Sequence, residues 1–349
     1  MPAPEETQQH SDAEWLVPMA VIAALQFAAW SAMWSIGLAR RPLIGLYDLI
    51  SIAGLVMGFV PFSLWYVLKL RREGESHPIQ RIRRDVQVPR VLAIAAAMIL
   101  GPIAAGAFST MKGAIPVAVP FYLDPALANL DRAVFGTDPW RLTHAAFGWA
   151  TPAIDRFYLS WLLVMLVSFY LVLLSKPSPF KSQSLIAYLL MWPLVGTIGG
   201  YALSSAGPIF QDALFGDHSG LVAVLQQEGA TKAVALYELL LHAYANRYEM
   251  LGAGISAMPS MHIAMACWFA LTVRAAWPRF QWAGWTYVGL IWFGSVHLGW
   301  HYVSDGAVGI ATAFLVWRLA GAIARRIPGW IPHEQLQGLR LRLARARSS

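Results

Sequence analysis

The stretch FYLSWLLVMLVSFYLVLLS, residues Phe157–Ser175, runs for nineteen residues without a charge. A helix needs about 20 mostly apolar residues to cross a hydrocarbon core of about 30 Å, so this stretch reads as a membrane span. Seven further runs read the same way: Trp15–Ala39, Leu43–Leu70, Val91–Ser109, Ser184–Ser204, Met258–Trp277, Trp282–Trp300 and Tyr302–Ala324. The run over 184–204 contains Pro193, Gly196, Gly199 and Gly200, which a membrane helix tolerates and which suit close helix packing. Of the 349 residues, 57% are hydrophobic and 13% charged, against about a quarter charged in soluble proteins. The expectation is an all-α polytopic membrane helix bundle of about eight transmembrane helices. The single cysteine, Cys267, lies inside a span, so no intrachain disulfide forms.

The net charge of +7 invites a nucleic-acid reading, but the positions of the charges argue against one. With a cytoplasmic N-terminus, eighteen of the 26 Lys and Arg residues fall on the cytoplasmic side, in the 69–90 loop, at Lys176, Lys181, Arg274 and Arg279, and from Arg318 onward. That is the asymmetry of a membrane topology. Both termini are therefore expected in the cytoplasm, in the cell (inner) membrane, with no nucleic-acid partner. The acidic segment Met1–Glu14 has no basic n-region and does not read as a cleaved signal peptide. The expected organisation is a cytoplasmic segment over 1–14, three helices over 15–109, a catalytic region over 110–324 and a basic cytoplasmic tail over 325–349. Arg340, Arg342, Arg345 and Arg347 in that tail suit a surface helix at anionic headgroups.

Two long outer loops, 110–156 and 206–257, carry helical patterns. Asp124–Phe135 places Leu127, Leu130 and Val134 on one face and Asp124 and Asp131 on another. Thr231–Met250 is similar, with Lys232, Glu238, His242 and Arg247 as its polar positions. Either these helices lie in the headgroup layer, or they roof a site and touch a lipid head.

Ionisable groups at membrane boundaries are costly and point to function. One group is Pro259-Ser260-Met261-His262, at the outer start of the sixth span. Proline favours a helix's first turn, whose free N–H groups and dipole attract anions. Gly252 and Gly254 upstream suit close approach of backbone to a ligand. The second group is His297-Leu-Gly-Trp-His301-Tyr-Val-Ser-Asp305. His301 and Asp305 are four apart and share a helical face. A carboxylate on one imidazole nitrogen fixes the tautomer and makes the other nitrogen a better nucleophile or base. The sixth span runs inward, the seventh outward and the eighth inward again, so His262 and His301 return to one membrane level. No HExxH or Cys/His spacing supports zinc, so no metal and no cofactor are expected.

The PSMH and HxxxD motifs at this spacing resemble the type 2 phosphatidic acid phosphatase superfamily. With DPALANLDRAVFGTDPW and SSAGP (Ser204–Pro208), the chain is similar to the branch containing inositol phosphorylceramide synthases, an inositolphosphotransferase type. The resemblance spans about Pro120–Gly321. It implies that His301 is the nucleophile forming a phosphohistidine, that Asp305 orients it, and that His262 protonates the leaving alkoxide. The chain departs from the superfamily pattern in three places. There is no Lys-then-Arg-Pro motif, Ser295 stands where an arginine is usual ahead of the second His, and Met261 replaces the glycine of PSGH. A phosphoryl group still needs cations or N–H donors. The candidates on the correct side are His297, Arg247 and Lys232, with Ser260 on the first turn.

The expected function is a membrane lipid phosphate phosphotransferase that acts on the outer face and takes a lipid phosphate and a lipid hydroxyl acceptor. A phosphatase using water is the alternative. A proton-coupled transporter is disfavoured, because it would place its ionisable groups near mid-membrane.

Overall fold

The computed structural model describes residues 11–327, apart from 43, 86 and 248–253. The expected tail helix and Gly252 lie outside these residues. The regular structure of the described residues is helical, with no strand. In order they form α1 (Ala13–Ser35), α2 (Ile44–Arg72), α3 (Pro78–Asp85), α4 (Val88–Ala118), α5 (Asp124–Phe135), α6 (Pro139–Phe147), α7 (Thr151–Tyr158) and α8 (Ser160–Leu174). Then come α9 (Pro179–Met191), a π-helical stretch Trp192–Gly199, α10 (Gly200–Ala202), α11 (Gln211–Phe215), α12 (Leu221–Gln227), α13 (Thr231–Asn246), α14 (Met261–Ala276), α15 (Gln281–His297) and α16 (Val303–Arg326). The protein is an all-α, multi-pass integral membrane protein.

Six helical runs are long and apolar enough to cross a membrane: α1, α2, α4, Pro139–Leu174, Pro179–Ala202 and α16. The remaining two of the expected eight, α14 and α15, have 16 and 17 residues, or about 24–26 Å of helix. Helix α14 is short because it is the core. Ile263, Ala264, Cys267, Trp268 and Ala270 are fully buried, and it packs against α8, α9, α15 and α16. A helix that is apolar all round and enclosed by protein faces no lipid along most of its length. Helix α2 is the opposite case, exposing Leu49, Ile52, Val56, Phe59, Val60, Leu64 and Trp65, as a lipid-facing helix does.

Polar contacts gather one set of helix ends on one face. Lys181 Nζ meets Asp12 Oδ1 at 2.5 Å, Ser182 donates to Glu14, and Arg90 donates to the Ser175 carbonyl at 2.8 Å. The opposite face holds the two histidine motifs and α5, α6 and α11–α13. Helix α4 continues to Ala118, beyond the expected limit at Ser109, and so carries Lys112 on its own rigid axis.

Candidate active site

Helix α14 starts at Met261 with Ser260 as its N-cap, the Ser260 hydroxyl accepting from the Ile263 N–H at 3.3 Å. Pro259 therefore precedes the cap and is not in the first turn as expected, and the Ser260 hydroxyl is occupied by the helix it begins. The Ser260 N–H donates to the Asp305 carbonyl at 3.2 Å, tying α14 to α16. Gly309 permits this approach, since a Cβ there would lie 2.8 Å from the Ser260 carbonyl oxygen.

This crossing brings His262 Nδ1 to 3.1 Å from His301 Nε2. His301 Nδ1 faces Asp305 Oδ2 at 3.4 Å. The same carboxylate oxygen accepts the Tyr302 N–H at 2.9 Å, capping α16. His301 Nδ1 and Asp305 Oδ1 are both buried without a hydrogen-bond partner. The two groups thus lie close together without an aligned hydrogen bond. His301 is only 3% exposed. Trp161 stands edge-on to the His262 ring at 4.5 Å and Tyr158 lies at 5.3 Å.

The loop Ser204–Pro208 braces both motifs. Ser205 accepts the Ala257 N–H at its carbonyl (2.8 Å) and the Met258 N–H at its hydroxyl (3.0 Å). The Ile209 N–H reaches the Gly299 carbonyl at 2.8 Å. Gly207 has φ +99°, and a Cβ there would lie 2.6 Å from the Trp300 carbonyl oxygen, so only glycine fits. Asp124 locks this loop, accepting from the Ala206 and Gly207 N–H groups and from the Tyr302 hydroxyl at 2.7–2.9 Å. Asp131 accepts the Val303 N–H at 3.0 Å. Helix α5 therefore turns its aspartates inward, with Leu127, and leaves Leu130 and Val134 exposed. This reverses the simple amphipathic expectation, because buried N–H groups at two chain starts need acceptors. Burial pushes both carboxyls up, Asp131 to about 6; the N–H bonds pull them down and the Asp305 charge pushes them up.

The four expected phosphate ligands are not gathered together. Ser260 is a cap, as above. His297 is fully buried, with Nδ1 3.1 Å from the Thr143 hydroxyl and Nε2 2.8 Å from the Thr151 hydroxyl. Its ring is turned to α6 and α7, where each nitrogen faces a threonine hydroxyl. Lys232 is exposed in the first turn of α13, its backbone N–H held by Asp155 at 2.8 Å. Arg247 caps the other end of α13, about 22 Å away along the axis, so the two cannot serve one phosphoryl group. Arg247 lines a cavity of about 500 Å³ with Arg40, Gly113, Tyr244 and Gly254.

Lys112 is a further cation on α4. It is half-buried two turns before the end of α4, and no described residue pairs with its ammonium. Gly254 (φ +102°) packs on the Lys112–Gly113 backbone, where a Cβ would meet three atoms at 2.8 Å. Gly254 therefore lets its segment close on α4. The sequence does carry a signal for Lys112: the apolar residues Ala114–Val119 beyond it extend the third span past Ser109.

A family model of the PAP2 superfamily matches residues 125–319, more than half of the chain. The chain belongs to the PAP2 superfamily. No curated protein and no solved structure matches it significantly. The PAP2 region runs from α5 into α16 and contains both histidine motifs, the Ser204–Pro208 brace and Asp131, whereas Asp124 and Lys112 lie upstream of it. Membership makes the chain a membrane protein of lipid phosphatase or phosphotransferase type.

Proposed function

We propose that this PAP2 protein is a lipid phosphate phosphotransferase, moving a phospho-head-group from one lipid to the hydroxyl of another as inositol phosphorylceramide synthases do. The observation that carries the reading is the 3.1 Å contact between His262 Nδ1 and His301 Nε2, with Asp305 behind His301. A donor phosphate enters between the two rings and displaces that contact. The His301 Nε2 lone pair attacks phosphorus, the ester P–O bond breaks, and the His262 N–H gives its proton to the leaving alkoxide. Asp305 holds the proton on His301 Nδ1 and stabilises the cationic phosphohistidine. In the second half, His262 takes the proton of the acceptor hydroxyl, whose oxygen attacks phosphorus as the N–P bond breaks. The Lys112 ammonium balances the phosphoryl charge, with Arg247 and Arg40 drawing the anionic head to the neighbouring cavity.

Burial of His301 and the aromatic wall of Trp161 and Tyr158 favour a lipid hydroxyl over water as the acceptor. Purified protein given radiolabelled lipid phosphate should move label onto an added acceptor lipid. Release of water-soluble phosphate at the same rate with and without acceptors would instead make the enzyme a phosphatase.

The basic asymmetry supports an outer-face site with both termini in the cytoplasm. A protease site placed in the 216–220 loop should be cut in intact cells and a reporter after Ser349 protected. The reverse pattern would turn the protein over and move the site inside.

A further inference from the structure

Beside the His262–His301 pair lies a second histidine cluster that the proposed reaction does not use. His144 on α6, Glu228 after α12 and His297 at the end of α15 bring one ligand atom each to within 4.8 Å of one another. The geometry points to a binding site for a divalent transition-metal ion, zinc(II) by ligand type, that staples the outer roof to the helix leading into His301.

The hydrogen bonds around the two rings fix which nitrogens are free. His144 Nε2 lies 2.8 Å from the His297 carbonyl, which can only accept, so Nε2 carries a proton. The Thr143 hydroxyl donates its proton to the Trp140 carbonyl at 2.9 Å, so it accepts from His297 Nδ1 at 3.1 Å. In neutral rings the lone pairs are then on His144 Nδ1 and His297 Nε2, and both point into the cluster. Metal-bound histidines are wired in this way, the outer N–H given to a carbonyl or hydroxyl and the inner nitrogen to the ion.

Inside the cluster, acceptors outnumber protons. His144 Nδ1 is 2.6 Å from Glu228 Oε2. The Thr151 hydroxyl, with one proton, stands 2.7 Å from Glu228 Oε2 and 2.8 Å from His297 Nε2. Protonating both imidazoles would supply the protons, but the rings are stacked with centroids 4.0 Å apart, and two cations face to face repel. One dication bound by His144 Nδ1, His297 Nε2 and a Glu228 oxygen satisfies the set, leaving a fourth position for the Thr151 hydroxyl or water. Two imidazoles and a carboxylate are a zinc ligand set. Gly148 makes room for the carboxylate, since a Cβ there would stand 2.5 Å from Glu228 Oε1. Glu228 is 26% exposed while His144 is buried, which leaves the ion an entry path from the outer side.

The experiment uses full-length protein purified in detergent without a metal-affinity step. Elemental analysis should find about one zinc per chain. Stripping with a chelator should lower the thermal midpoint, and zinc(II) should restore it. Cobalt(II) added to stripped protein should give the visible bands of a four-coordinate site. Glu228→Gln should weaken metal affinity at least about tenfold, as losing a ligand or its partner does, while His262→Ala keeps its zinc. A wild-type protein that holds no metal, shows no cobalt bands and melts alike with and without chelator overturns the proposal, with a proton in place of the ion. Full zinc binding in Glu228→Gln, or its loss in His262→Ala, also overturns it by placing the ion elsewhere. If Glu228→Gln does not fold, the wild-type measurements decide alone.

Discussion

His301→Ala is expected to abolish turnover on every phosphate ester, by roughly 10⁶-fold if it behaves as the nucleophile of a serine-protease-like triad does. His301 Nε2 is the nitrogen directed away from Asp305 and toward His262, so its removal leaves nothing to form the covalent intermediate. His262→Ala should cost less, about 10²–10⁴-fold. The loss should shrink on esters with good leaving groups, such as nitrophenyl phosphates, which need no proton to depart. Equal losses in the two variants on activated and unactivated esters would refute these roles. Asp305→Asn separates chemistry from architecture, because Asp305 also caps α16 through the Tyr302 N–H. The amide keeps an oxygen for that N–H but cannot stabilise an imidazolium, so the variant should melt near wild type and turn over far more slowly.

Much of the fold follows from one physical rule: backbone polar groups in a bilayer must bond internally, so apolar runs of about 20 residues are helices. That rule places α1, α2, α4, α8, α9 and α16. It is less able to tell that α14 is a buried core helix, because an apolar helix enclosed by protein and one facing lipid look alike in sequence. The histidine motifs were legible because both sit at the ends of spans that the topology returns to one level. Their supports were not. Asp124, Asp131 and Ser205 act through backbone N–H groups between 52 and 172 residues away, and no local pattern announces such a bond. His144, Glu228 and His297 likewise come from three segments 84 and 69 residues apart, so no ligand spacing marks them. His297 was drawn to the phosphate by its distance from His301 along the chain. The end of α15 turns its ring the other way, to Thr143 and Thr151.

Lys112→Met should lower the rate by about 10²–10³-fold, the usual cost of losing one charge-stabilising group at a reacting centre, while the protein becomes no less stable. The two effects share a cause. Lys112 is half-buried on α4 with no described residue paired to it, and an ammonium held partly out of water without a partner carries a desolvation cost that the resting fold does not recover. A hydrophobic side chain of similar length removes that cost, so the thermal midpoint in detergent should hold or rise. The penalty falls on turnover instead, because in the proposed reaction the ammonium meets the negative charge that the phosphoryl oxygens gather as the ester bond breaks. An interaction made mainly in the transition state lowers kcat more than it raises KM, so the split between them is the diagnostic. Lys112→Arg keeps the charge and should retain part of the rate. If Lys112→Met turns over like wild type, the phosphoryl cation is elsewhere and Arg247, on the adjoining cavity, becomes the residue to replace. If activity falls only as far as the amount of folded protein falls, Lys112 holds α4 against the Gly254 segment and has no part in the chemistry. The outcome that supports catalysis is a fully folded Lys112→Met protein, at least as heat-resistant as wild type, that binds donor lipid and transfers it slowly.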